Sequence, residues 1–151
     1  IMSSDWSSDV CSSDLHRIVD YVPTVQVGIR SVCAEEMALI RDKELPVFFA
    51  DDLHYNPALY DAIVDRLQDN VYITFDLDGL DPSIMPSTGT PEPGGLGWYE
   101  ACKILKSVAA KRNIVGCDVV ELAPVADNFS PNFVAAKLTY KMLNYAFKAK
   151  S

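Results

Sequence analysis

Basic residues, histidine, paired cysteines and long apolar runs are all scarce in this sequence. Thirteen Lys and Arg face 21 Asp and Glu, leaving a net charge of −8. Such a balance excludes a general nucleic-acid or anionic-membrane surface. No apolar run approaches the roughly 20 residues needed to span a bilayer, and no basic-then-apolar stretch opens the chain. The four cysteines, Cys11, Cys33, Cys102 and Cys117, show no Cys-x-x-Cys spacing, which removes the usual thiolate-metal and redox signatures. Free, mostly buried thiols in a cytoplasmic protein are the expectation. Of the two histidines, His16 adjoins the atypical first residues and His54, near Asp51 and Asp52, invites a metal reading.

What remains is ordinary globular material. At 49% apolar and 23% charged, 151 residues suffice for one domain with a sizeable core. Residues 1–15 stand apart: a Ser-Ser-Asp unit recurs through Ser3–Asp14 without helical or strand periodicity. They are expected to be an artefactual or disordered tail. Authentic sequence is expected from about His16, in mid-domain, so that the chain reads as a fragment.

The stretch Val71–Pro82 organises the rest. Val71-Tyr72-Ile73-Thr74-Phe75 reads as a buried strand, and Asp76, Asp78 and Asp81 follow within six residues. If the backbone stays extended, Asp76 and Asp78 project from one face. Two ionised carboxylates about 4 Å apart repel by about 4 kcal/mol at an effective dielectric near 20. A shared proton, a basic partner or a metal cation must offset that, and Arg66 and Lys103 are the nearest bases in sequence. The alternative is a pair of solvated loop acids.

Around this stretch strands and helices alternate. Strands are expected at residues 25–29, 46–50, 71–75 and 114–120, and helices at about 32–42, 57–67, 98–111 and 131–148. Ser31 or a neighbour can cap the first helix, with Glu35 and Glu36 in its first turn. From Pro86 to Gly95, three prolines and three glycines in ten residues forbid regular structure. A long loop there is expected to be functional. The fold class is therefore α/β, a three-layer α/β/α sandwich with a mainly parallel sheet. Ligands collect beyond the carboxyl ends of such strands, where Asp76, Asp78 and Glu121 fall together. Asp118, three residues before Glu121, reads as a buried, hydrogen-bonded acid facing the other way. His54 reads as a surface or supporting residue, and His16 has no role.

Phe75-Asp76-Leu77-Asp78-Gly79-Leu80-Asp81-Pro82, Thr88-Gly89-Thr90-Pro91-Glu92-Pro93-Gly94-Gly95-Leu96 and Asp118-Val119-Val120-Glu121-Leu122-Ala123-Pro124 together resemble the arginase/agmatinase (ureohydrolase) family, in its C-terminal half. The Pro-Glu-Pro-Gly-Gly form of the loop is most similar to the agmatinase branch. Residues 16–151 are accordingly identified as the C-terminal part of a ureohydrolase domain. The resemblance implies a pair of Mn2+ ions activating a bridging water that attacks a guanidinium carbon and releases urea. It further implies that Asp76 bridges both metals and Asp78 ligates one. Glu121 would pair with the substrate guanidinium, Thr90 would stand beside Glu121 and orient it, and Asp81 would brace the turn. The family's histidine ligand and Asp-x-His-x-Asp motif have no match here, so the ligand set is incomplete and nothing beyond the metal-bound water is assigned as catalytic. The fragment is expected to be inactive, and its parent to convert agmatine to putrescine in polyamine biosynthesis as a cytoplasmic trimer or hexamer. Arginase, guanidinobutyrase and formiminoglutamase specificities are open, as is a catalytically dead member acting in assembly. Phe-Asp-Leu-Asp-Gly also resembles the nucleophile motif of haloacid-dehalogenase-type phosphatases, without that family's downstream acidic motif.

Overall fold

The computed structural model describes residues 21–148. The tail at 1–15, Cys11 and His16 lie outside them. In chain order the elements are β1 (Gln26–Ile29), α1 (Ala34–Asp42), β2 (Val47–Phe49), α2 (Ala50–Tyr55), α3 (Leu59–Arg66) and β3 (Asn70–Asp76). A 3-10 turn (Leu77–Gly79), α4 (Trp98–Lys111), β4 (Asn113–Val120) and α5 (Ser130–Lys148) complete the order. All four expected strands and all four expected helices are present, with no end shifted by more than two residues. The additional helix is α2, which fills the stretch between the strand expected at 46–50 and the helix expected at 57–67.

Local chemistry explains the boundaries. The cap of α1 is Cys33, not Ser31: the Glu36 backbone N–H donates to Cys33 Sγ at 3.4 Å, and the Cys33 N–H donates to Glu36 Oε2 at 2.8 Å. This is a capping box built on a thiol. Helix α3 ends with orphan carbonyls. Arg112 braces this end from across the fold, donating to Leu67 O at 3.1 Å and to Val64 O at 2.8 Å, which also accepts the Leu67 N–H at 3.2 Å.

Strands pair in parallel as β1 with β2 and β3 with β4. The parallel α/β character is as expected, but among the described residues the strands form two two-stranded ladders. On β3 the period-2 alternation is explicit. Val71, Ile73 and Phe75 are buried, whereas Tyr72 on the opposite face is 59% exposed. The buried side meets Ile63 of α3, Ile104, Leu105 and Val108 of α4, and Leu138 of α5 in one core cluster. Phe75, Leu77 and Leu80 are at most 2% exposed, and each such burial contributes about 1.5–3 kcal/mol. The core therefore runs directly under the acidic turn and holds its backbone still.

Candidate functional site

The chain stops being extended at Asp76. Its carboxylate accepts the Asp78 backbone N–H at 2.8 Å, capping the 3-10 turn that follows. Asp76 and Asp78 thus sit on consecutive limbs of a turn and not side by side on a straight strand, because that short hydrogen bond stabilises the turn. Both remain buried, at 4% and 6% exposed. Thr90 Oγ1 donates to Asp78 Oδ2 at 2.6 Å. Asp78 Oδ1 is buried with no hydrogen-bond partner among the described residues. The solvated-acid alternative is thereby excluded for this pair.

The Thr90 hydroxyl is committed to Asp78, a partner that the resemblance does not assign to it. Glu121 follows Val120, the register partner of Asp76, so the three acids do share one sheet edge. Its φ is +65°, a left-handed conformation that costs a non-glycine residue about 1–2 kcal/mol and that concentrates at functional sites. Glu121 is exposed. Its segment and the Thr90 loop are joined by the Ala123 N–H, which donates to Ser87 O at 2.9 Å. Ser87 and Thr88 are buried, and their hydroxyls have no hydrogen-bond partner among the described residues.

Asp81 braces the turn, as expected. Its Oδ1 accepts the Ser83 N–H at 2.9 Å and its Oδ2 the Gly94 N–H at 3.0 Å, linking the turn to the Pro/Gly loop. Hydrogen bonding from the Ser83 side chain, then from the Ser83 N–H, holds its carboxyl below the usual range. Asp118 also has partners: Tyr72 donates to its Oδ2 at 3.0 Å and Thr74 at 3.5 Å, on the more open face of β3 and β4. His54 is an exposed residue of α2. It lines an open cleft of about 800 Å³ with Arg30, Asp51, Asp52, Asp81 and Glu92. Neither Asp76, Asp78, Thr90 nor Glu121 lines that cleft.

Sequence reasoning missed Arg30, Ser31 and Glu92. Arg30 donates to the backbone carbonyls of Asp78 and Leu80, and its Nε lies 4.0 Å from Glu92 Oε2. The Ser31 hydroxyl donates to Glu92 Oε1 at 2.6 Å. The signal was available: an arginine at the carboxyl end of a strand, and an acid locked between Pro91 and Pro93. Among the described residues, no three His, Cys, Asp or Glu side chains are grouped to hold a metal ion together.

With this geometry in view, similarity to known proteins is informative. A Synechocystis protein named N(1)-aminopropylagmatine ureohydrolase is 44% identical over 133 residues, covering 87% of this chain and 44% of that protein. An agmatinase of Chromobacterium violaceum is 40% identical over 124 residues, covering 79% of this chain and 36% of that protein. The chain thus spans less than half the length of these curated relatives. Among solved structures, the agmatine ureohydrolase of Thermoplasma volcanium superposes with a TM-score of 0.78 at 29% identity, covering 97% of this chain and 52% of its own. Helicobacter pylori arginase superposes with a TM-score of 0.72 at 25% identity, covering 81% and 42%. The family model described as "Arginase family" matches residues 11–144, which decides between the ureohydrolase and phosphatase readings of Phe75–Gly79: the chain belongs to the arginase family.

Proposed function

We propose that the protein carrying this chain hydrolyses the guanidino group of a linear amine and releases urea, with agmatine or its N(1)-aminopropyl derivative as substrate. The observation that carries the reading is the buried acid pair at the end of β3. Asp78 Oδ1 is shielded from water and has no hydrogen-bond partner among the described residues, a costly state for a carboxylate oxygen. A hard divalent cation satisfies such an oxygen, and an all-carboxylate donor set suits Mn2+ or Mg2+. The residues present therefore fit a divalent metal. Asp76 and Asp78 would hold it, with Mn2+ as the proposed ion. When bound, such a metal supplies Lewis acidity and lowers the pKa of water.

The chain's own residues account for the remaining tasks. Thr90 occupies Asp78 Oδ2 and so fixes the rotamer that leaves Oδ1 available. The Asp78 N–H holds Asp76 Oδ1. Glu121 offers its carboxylate at the same sheet edge, where it would bind the planar guanidinium by paired charge-assisted hydrogen bonds. The names of the Synechocystis and Chromobacterium relatives support an amine tail over an amino-acid tail. Two carboxylates do not complete a two-ion site, so the 151-residue chain alone is proposed to be inactive. On the family resemblance the whole protein works in the cytoplasm, as a trimer or hexamer, in polyamine synthesis.

Urea release by the whole protein, loaded with Mn2+, tests this. The panel is agmatine, N(1)-aminopropylagmatine, arginine, guanidinobutyrate and formiminoglutamate. Highest kcat/KM on one of the first two is expected. No turnover of any of them by Mn2+-loaded protein would sink the reading and leave the assembly role. Turnover by the 151-residue chain alone would overturn its proposed inactivity.

A further inference from the structure

Arg30 reaches the acidic turn because β1 is kinked to deliver it. On β2, Val27 pairs with Phe48 and Ile29 with Phe49, which leaves Gly28 as an extra residue. Gly28 has a φ of +82° and faces Leu96, 3.4 Å from where a Cβ would stand. A bulge of this kind re-aims the residues that follow it. Here it turns Arg30 toward a turn 48 residues further along the chain.

The arginine is 11% exposed in its side chain, and its contacts close a circuit. One end of the guanidinium donates to the carbonyls of Asp78 and Leu80. Its Nε faces Glu92, which Ser31 also holds. Glu92 lies two residues beyond Thr90, and Thr90 donates to the Asp78 carboxylate. Asp78 is therefore gripped twice through one arginine: directly at its backbone, and at its side chain through the loop that Glu92 anchors. Gly95 packs directly against the guanidinium and leaves no room there for a Cβ.

We propose that Arg30 is the positioning residue for the metal site: through the Asp78 and Leu80 carbonyls and through Glu92, it sets the direction of the Asp78 carboxylate. This rests on the reading of Asp78 as a metal ligand. A lysine cannot substitute, since a single ammonium lacks the planar fork that serves two carbonyls and a carboxylate at once.

The test is Mn(II) titration of the whole protein, with free Mn(II) followed by its EPR signal, alongside thermal unfolding of the metal-free forms. Arg30→Met and Arg30→Lys should each weaken Mn(II) binding tenfold or more, and Glu92→Gln threefold or more. Because the two residues act through one circuit, the Arg30→Met/Glu92→Gln double variant should stay within twofold of Arg30→Met. Lys111→Ala, which breaks only the remote ion pair with Asp61, should match wild type. Folded Arg30 variants that bind Mn(II) within twofold of wild type would overturn the inference, as would fully additive losses in the double variant. A lowered Tm with unchanged Mn(II) affinity would mark Arg30 as merely structural, which also overturns it. Should Arg30→Met fail to fold, Glu92→Gln decides: its side chain is 37% exposed, and unchanged affinity would overturn the proposal. Wild-type protein that binds no Mn(II) overturns the metal reading and this inference with it, whereas normal wild-type binding with unaffected variants overturns the inference alone.

Discussion

Thr90 Oγ1 donates a 2.6 Å hydrogen bond to Asp78 Oδ2, joining the proline- and glycine-rich loop to the end of the central strand. A hydroxyl on a buried carboxylate is a charge-assisted bond, stronger than a neutral one. It also leaves the buried Asp78 Oδ1 as the acceptor without a hydrogen bond among the described residues, so one contact both fixes the carboxylate and keeps its other oxygen uncommitted. Thr90→Val keeps the volume and removes the donor. It should destabilise the fold by about 1–3 kcal/mol, read as a lower midpoint in urea denaturation with an unchanged slope. A midpoint identical to wild type would show that the hydroxyl does not hold Asp78.

Removing the charge at the strand end should abolish the effect of metal on stability. A ligand at a hundredfold its Kd stabilises a protein by about 2.7 kcal/mol. For the whole protein, saturating Mn2+ should therefore raise Tm, and Asp76→Asn and Asp78→Asn should each lose most of that rise. An undiminished Mn2+ shift in both variants would remove the two aspartates from the metal site.

Gly95 and Gly89 should respond in opposite ways to alanine. A Cβ on Gly95 would stand 2.6 Å from the Leu80 carbonyl carbon and the Asp81 nitrogen. Backbone cannot swing aside as a side chain can, so Gly95→Ala should cost about 2–3 kcal/mol and expose residues 86–95 to limited proteolysis. At Gly89 a Cβ meets nothing within 4 Å, and Gly89→Ala should be neutral or stabilising by up to about 1 kcal/mol. Equal effects at both positions would contradict the tight docking of the loop on the turn.

Acid should loosen the same junction through Asp81. Hydrogen bonding from Ser83, side chain first, lowers its carboxyl in the folded state. The folded pKa lies below the unfolded one, so the ionised form is the one that stabilises. This contribution is complete above an unfolded value of about 3.9 and is lost as pH falls through that value to the folded one. Asp81→Asn should be less stable than wild type at pH 7, with the gap closing as pH is lowered through 4 toward 3. Urea denaturation across that range measures it, and a gap independent of pH would refute the assignment.

Much of this was legible locally. The apolar, β-branched run Val71–Phe75 marked a strand, though a wholly buried one, whereas Tyr72 is 59% exposed, and the apolar spacing through residues 98–111 marked α4. Proline and glycine density from Pro86 to Gly95 marked a loop without regular structure. The three motifs pointed to the family before any fold was in view. Asp81 was legible as a brace because its turn is made with Ser83, two residues away. The α2 helix was not, since six residues with three charged or polar side chains carry too little periodicity to distinguish a helix from a connection. Cys33 was missed as the cap because a thiol is not among the residues that usually take that place.

The sequence by itself determined the four strands, four of the five helices, their order, the acidic strand end and the family, because those follow from patterns a few residues long. Tertiary structure alone decided that the Thr90 hydroxyl donates to Asp78, and that the strands hydrogen-bond as two pairs among the described residues. It alone placed Arg30 across the turn and beside Glu92. Those contacts join segments 12, 48 and 62 positions apart. Nothing in the local pattern favours one distant partner over another. Burial of the shared core beneath β3, the bulge at Gly28 and the close approach at Gly95 select them together, once the chain has closed.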